Sequence, residues 1–352
     1  MSSALEALPM VDTPLKAKDF ATSQEVRWCP GCGDYSILAG VRQVMADLGI
    51  DPDHTVVISG IGCSSRFPYY MNTYGMHSIH GRAPAIATGL AVSRPDLAVF
   101  VVTGDGDALS IGGNHLIHAL RRNVNMTILL FNNQIYGLTK GQYSPTSRQG
   151  ATTKSTPFGS LDRPFNPVSL ALGAGATFVA RTVDSNRKHL VETITAAAHH
   201  PGTSLVEIAQ NCPIFNDGAF ERVTGKEAKA NMVALAHGEP AIFGLEDEWA
   251  LRRSPEGSIE IVARDQISES DVFVHDVHRN DPTTAFALSQ LDDGIMSGGP
   301  MPIGVFRQVI APTYCGQVRA QVAQAGGSNG ATDEDIQALI TGSDTWTVSR
   351  TV

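Results

Sequence analysis

The sequence predicts an α/β fold, a mostly parallel sheet with helices on both faces, and three observations lead there. Apolar runs of strand composition alternate with longer amphipathic segments, several runs are apolar on both faces, and these runs end in glycine or asparagine. In chain order, "DYSILAGVRQVMADLG" (34–49) has helical spacing, and "HTVVISGIG" (54–62) is a buried strand ending in glycines. "DLAVFVVTGDGD" (96–107) and "NMTILLFNN" (125–133) are two further strands. "SNRKHLVETITAAAHH" (185–200) and "TSLVEIAQN" (203–211) supply one more helix and strand, and the regular pattern closes near residue 212. After about residue 221 the texture becomes charged and turn-rich, as in "GLEDEWALRRSPEGS" and "VHRNDPTTAF", and "QAGGSNGATDED" has the composition of a flexible connection. The expected division is an amino-terminal segment 1–25, a main domain 26–220 and a carboxy-terminal appendage 221–352 of unknown role.

The chain has 352 residues, 42% hydrophobic and 17% charged, enough to bury at least one large core. No apolar run approaches the roughly 20 residues needed to span a bilayer, and the first 20 residues lack the basic start and apolar middle of a secretory signal. The expectation is a soluble cytoplasmic protein. A formal charge of −9, without a Lys/Arg cluster, gives no footprint for nucleic acid or a membrane surface. Five cysteines without an export signal argue for metal binding, redox chemistry or plain burial rather than a disulfide framework.

The informative constellation runs from Thr103 to Leu138. One strand ends in Gly104-Asp105-Gly106, and the next ends in Asn132-Asn133. In a right-handed strand, helix, strand unit both ends lie side by side at the carboxyl edge of the sheet, the usual ligand crevice of this architecture. Asp105 offers a carboxylate and Asn133 a side-chain carbonyl, hard oxygen ligands suited to Mg²⁺, which keeps its other positions for water or phosphate oxygens. The glycines admit close approach of a phosphate, and a helix expected to begin near Ala108 points its free amides at the same place. Asp107 is placed to cap that helix or to lie near the ligand. Cys29 and Cys32 form a C-x-x-C pair, Cys63 follows a strand in "GIGCSSRFP", and Cys212 follows another in "NCPIFN". Four thiolates suit tetrahedral zinc or a [4Fe-4S] cluster, and the spacing does not choose between them; a thioredoxin-like pair would leave Cys63 and Cys212 idle.

GDG followed by NN resembles the signature of thiamine-diphosphate enzymes, which implies that Asn133 and the backbone carbonyl of Ile135 complete a Mg²⁺ shell begun by Asp105. The set W-C-P-G-C-G, G-I-G-C-S-S-R, GDGD with NN-x-I-Y-G, and N-C-P-x-F-N, from about Val26 to Phe220, resembles the beta subunits of 2-oxoacid:ferredoxin oxidoreductases, most closely the 2-oxoglutarate type. The resemblance implies the pyrophosphate-binding half of a thiamine-diphosphate fold. It implies that Cys29, Cys32, Cys63 and Cys212 bind one [4Fe-4S] cluster, and that Ile61, Gly62, Ser64, His80, Gly106, Asp107, Gly137 and Leu138 surround the cofactor. His80 is otherwise a core histidine, and Cys315 matches nothing and is most simply buried. Arg66, three residues after Cys63, stands where the family places a basic residue for a distal carboxylate. The implied reaction is coenzyme A-dependent oxidative decarboxylation of 2-oxoglutarate to succinyl-CoA and CO₂, with electrons passed through the cluster to a ferredoxin. An alpha subunit is implied for the pyrimidine-binding half, in a dimer of alpha-beta heterodimers. Pyruvate or broad-range activity, a non-redox thiamine enzyme and a zinc-stabilised scaffold are the alternatives.

Overall fold

The computed structural model describes residue 5 and residues 8–292, 299–326 and 331–349. Its centre is an eight-stranded sheet in the order β2-β1-β3-β4-β6-β5-β11-β7. The strands are β1 (Thr55–Ser59), β2 (Tyr74–His77), β3 (Ala98–Gly104), β4 (Met126–Asn132), β5 (Phe178–Val183), β6 (Thr203–Ala209), β7 (Met232–Leu235) and β11 (Met301–Gln308). The first six are mutually parallel, while β11 runs antiparallel to β5 and parallel to β7. Helices α1 (Asp34–Leu48), α2 (Phe67–Tyr70), α3 (Ala83–Ser93), α4 (Asp105–Leu109), α5 (Gly113–Arg122), α6 (Pro167–Gly173) and α7 (Arg187–His199) connect them.

Alternation along the buried strands divides the core in two. Val56, Ile58, Val99, Val101, Ile128 and Leu130 pack on one face with α3, α5 and α6. Val57, Phe100, Val102, Leu129 and Phe131 pack on the other with α1 and α7. Runs such as Ala98–Val102 are apolar at every position because both faces are covered by helices. Helix α1 stops at Gly49, whose φ of +65° a side chain would resist.

The region after Phe220 is not a separate appendage, contrary to the expectation. Strands β7 and β11 extend the main sheet past β5, and β11 packs on the same core through Phe306. Beyond them lie α8 (Glu221–Thr224), α9 (Ala228–Asn231) and a small antiparallel sheet of β8 (Ile242–Phe243), β9 (Trp249–Arg253) and β10 (Ile259–Ala263). Helix α10 (Thr283–Ser289) follows this sheet. Glycine and proline around "GGPMPIGVFRQVIAP" gave β11 the look of a loop, and β7 is only four residues long. Of the expected flexible connection, residues 327–330 lie outside the described residues. Gln324–Gly326 end α11 (Tyr314–Gly326), and Thr332 caps α12 (Asp333–Thr341) with a reciprocal Thr332–Asp335 box. Among the described residues no helix is long and apolar enough to cross a membrane.

Candidate active site

The carboxyl ends of four adjacent strands, β1, β3, β4 and β6, deliver the residues of interest to one edge of the sheet. Two adjoining cavities there hold these residues. The larger, about 610 Å³, is lined by Ile61, Gly62, Cys63 and Ser64 after β1, His80 before α3, Gly104 to Asp107 at the end of β3, and Asn133 to Thr139 except Gln134 after β4. The smaller, about 210 Å³, is lined by Cys29, Cys32, Cys63 and Cys212, with Arg66, Lys140 and Phe215. Asp34, Cys63, Asn133, Gly137, Leu138 and Gln210 line both, so the cavities share a wall.

In the larger cavity Asp105 is buried, and burial pushes its carboxyl up to about 6 against the pull of its hydrogen bonds. Both side-chain donors fall on Oδ2, Ser144 Oγ at 2.5 Å and Thr146 Oγ1 at 2.6 Å. Thr146 also lies 2.9 Å from Asn132 Oδ1, and Asn132 donates to Glu207, which is ion-paired with Arg181 in the sheet interior. A hydroxyl has one proton, and an ionised Asp105 is the stronger acceptor. Asn133 Oδ1 accepts from the Ile135 backbone amide at 3.1 Å, which folds the turn and leaves a lone pair. A buried carboxylate and a side-chain carbonyl oxygen lining one cavity form a donor set that fits Mg²⁺.

Asp107 neither caps a helix nor offers a free oxygen. The helix begins at Asp105 rather than near Ala108, with Gly104 at its cap. The Asp107 carboxylate accepts from Ile61 N (3.0 Å), Gly81 N (2.7 Å) and Thr103 Oγ1 (2.6 Å), and meets His80 Nδ1 at 2.6 Å. It pins the two glycine loops together and fixes one nitrogen of His80, leaving Nε2 as the ring's other polar atom. The turn after β1 tolerates no side chain at Gly60, where a Cβ would stand 1.7 Å from Asp107 Oδ2.

The four thiols are brought together by loops. Trp28 Nε1 donates to the Cys63 carbonyl at 2.7 Å, and Gly33 N donates to Asn211 O at 3.1 Å, which ties the 29–33 loop to the segment after β6. A Cβ at Gly137 would lie 3.5 Å from Cys63 Sγ and 3.7 Å from Cys212 Sγ, so the glycine keeps the space between the sulfurs open. Burial, Asp34 and the neighbouring thiols push Cys63 up to about 12, and burial and Asp34 push Cys32 up as well. A metal would reverse this, since a coordinating thiol is deprotonated. Among the described residues no three His, Cys, Asp or Glu are gathered closely enough for a single ion. Four thiols round one open cavity fit a multinuclear cluster better than zinc.

Arg66 lies in the smaller cavity and not among the residues lining the larger one; its Nη1 donates to the Arg27 carbonyl at 2.9 Å. The 3₁₀ turn Ser64–Arg66 carries it to the thiol side of the shared wall. Cys315 is buried in the core on helix α11, Tyr314–Gly326, which packs against α3. Sequence reasoning missed Asp34, Gln210, Tyr136, Ser144 and Thr146. Gln210 carried a signal, two residues before Cys212 at a strand end, whereas "YSPTS" carried none.

Residues 60–208 match the family of thiamine pyrophosphate enzymes, C-terminal TPP binding domain. The chain is 57% identical over 341 residues to the 2-oxoglutarate oxidoreductase subunit KorB of Mycobacterium tuberculosis, covering 97% of this chain and 91% of that one. It is 48% identical over 190 residues to the 2-oxoacid:ferredoxin oxidoreductase 1 subunit beta of Aeropyrum pernix, covering 54% of this chain and 60% of that relative. Among solved structures, the 2-oxoglutarate:ferredoxin oxidoreductase from Magnetococcus marinus, with 2-oxoglutarate, coenzyme A and succinyl-CoA bound, superposes with a TM-score of 0.74 at 38% identity, covering 94% of this chain and 99% of that one. With the thiamine-pyrophosphate domain lying across the strand ends that carry the site, the chain belongs to the beta subunits of the 2-oxoglutarate:ferredoxin oxidoreductase family.

Proposed function

We propose that the protein, joined to an alpha subunit, carries out the coenzyme A-dependent oxidative decarboxylation of 2-oxoglutarate to succinyl-CoA and passes the electrons to a ferredoxin. The observation that carries the reading is the shared wall: a cavity lined by Asp105 and Asn133, whose oxygens fit Mg²⁺, adjoins a cavity lined by four cysteines. Thiamine diphosphate would supply the nucleophile that releases CO₂, and a [4Fe-4S] cluster would take the electrons singly.

The residues present would do the rest. Asp105, Asn133 and the Ile135 carbonyl would hold Mg²⁺, with Ser144 and Thr146 fixing the Asp105 carboxylate. Asp107 holds His80 so that Nε2 is free to hold or move a proton inside the cavity. Ile61 and Leu138, 41% and 47% exposed in the isolated chain, present apolar surface that a covering subunit would use to exclude water. Cys29, Cys32, Cys63 and Cys212 would ligate the cluster. Among the described residues no glutamate lines the larger cavity, and the one that thiamine chemistry needs beside the aminopyrimidine ring would come from the alpha subunit.

The test is iron and sulfide analysis with a visible spectrum of the anaerobically purified alpha-beta complex, followed by ferredoxin or dye reduction with 2-oxoglutarate and coenzyme A. Thiamine diphosphate without iron would leave a non-redox thiamine enzyme, and zinc without thiamine diphosphate would leave a scaffold.

A further inference from the structure

Gln210 is the first residue after β6, and its backbone amide still donates to Asn132 O at 2.9 Å, so the strand ladder holds it at the centre of the sheet edge. The residue is 1% exposed and lines both cavities. Nε2 donates to Cys32 Sγ at 3.3 Å and to the Asn211 carbonyl. Both neighbours of that nitrogen are acceptors, which fixes the orientation of the amide. Oε1 is buried without a partner, so the amide is not there to satisfy its own oxygen. The contact with Cys32 depends on Gly33, where a Cβ would stand 2.9 Å from Gln210 Cγ and 1.9 Å from Asp184 Oδ2; the 29–33 loop seats against Gln210 because that position has no side chain.

We propose that Gln210 is a positioning residue that sets the reduction potential of the cluster by donating from Nε2 to the Cys32 sulfur. The proposal rests on the [4Fe-4S] reading above. Hydrogen bonds to ligating sulfur are one of the means by which a protein tunes a cluster. An N–H donor withdraws electron density from the thiolate and favours the reduced, more negative form, so it raises the potential. Gln210 stands in the wall between the cofactor side and the thiols, where a raised potential favours electron transfer out of the larger cavity.

The experiment is an EPR-monitored redox titration of the assembled alpha-beta complex carrying Gln210→Met, a side chain of similar length without a donor, beside Gln210→Glu and wild type. With iron and sulfide content equal to wild type, Gln210→Met is expected to lower the ratio of reduced to oxidised cluster at a fixed potential by on the order of tenfold, about 59 mV for a one-electron couple. Gln210→Glu, which adds a negative charge as well, should lower it at least as far. An unchanged potential in Gln210→Met, with or without a shift in Gln210→Glu, overturns the proposal. If Gln210→Met fails to assemble, pulsed EPR of reduced wild type labelled with ¹⁵N in the glutamine side chain decides: a nitrogen coupling to the cluster is expected, and its absence overturns the proposal. Wild-type complex without iron and sulfide would instead overturn the cluster reading itself.

Discussion

The two cavities share six residues and are built on different principles. The larger is made by strand ends. Asp105 and Asn133 follow two adjacent, hydrogen-bonded strands, and the ladders that fix those strands fix the ligands too. The smaller is made by loops, with Cys29 and Cys32 on a segment held by Gly33 and Trp28, and only Cys63 and Cys212 near strand ends. The wall the two cavities share is the less satisfied part, since Asp34 Oδ1 and Gln210 Oε1 are buried without partners there and burial raises the Cys32 and Cys63 thiols. A site framed by a sheet is formed before its ligand arrives, whereas one framed by loops depends more on the ligand to hold it.

That contrast breaks most sharply at Asp105. Asp105→Ala should abolish turnover and reduce Mg²⁺-dependent thiamine diphosphate affinity by more than the ~10–100-fold that loss of an outer-shell partner costs, while the cluster spectrum stays intact. Calorimetric titration of thiamine diphosphate checks it, and unchanged affinity would remove Asp105 from the metal site. Cys212→Ser should do the converse. Electron transfer should be lost and iron content should fall, because a hydroxyl is a poorer iron ligand than a thiolate, with thiamine diphosphate affinity unchanged. Full iron content would place the fourth ligand elsewhere. If either variant disturbs both sites equally, the cavities are one structural unit and the comparison fails. Thr146→Val, which keeps the shape and removes the hydroxyl from Asp105 Oδ2, should weaken thiamine diphosphate affinity by ~10–100-fold and leave the cluster potential untouched.

The same contrast explains what could be read from the chain. Strands such as Met126–Asn132 announce themselves because a parallel strand covered on both faces is apolar on both, here without a break from Ile128 to Phe131, and with them came Asp105 and Asn133. Edge strand β2, Tyr74–His77, is exposed along its whole length and gave no such signal. The cysteines were visible as residue types, two after strand ends and two in a C-x-x-C loop, but their spacing does not choose between zinc and a cluster, and that they line one cavity emerges only in the fold. Ser144 and Thr146 reach Asp105 from a loop about 40 residues away in sequence, and long-range hydrogen bonds of that kind leave no periodicity. Strand β11 was hidden by its flanking Gly and Pro and by an antiparallel placement that the βα rhythm does not anticipate.

The smallest expected effect concerns Arg66, on which the two cavities compete for one side chain. Its guanidinium lines the thiol cavity and exerts a downward pull on the Cys63 thiol, and Nη1 is spent on the Arg27 carbonyl. The remaining guanidinium donors can still take a carboxylate that reaches over the shared wall at Cys63, three residues before it, and an Arg stays charged at any working pH. If it serves the substrate, 2-oxoglutarate gains a charge-assisted contact that pyruvate lacks, worth about 1.5–3 kcal/mol. Arg66→Ile should then lower the ratio of kcat/KM for 2-oxoglutarate over pyruvate by roughly one to two powers of ten, with pyruvate turnover little changed. If Arg66 serves only the thiols, both oxoacids should fall together and the cluster potential should move instead, because a positive charge beside the sulfurs favours the reduced form. Measuring both kcat/KM values and the potential on one variant assigns Arg66 to one cavity or the other, and an unchanged ratio removes it from substrate choice.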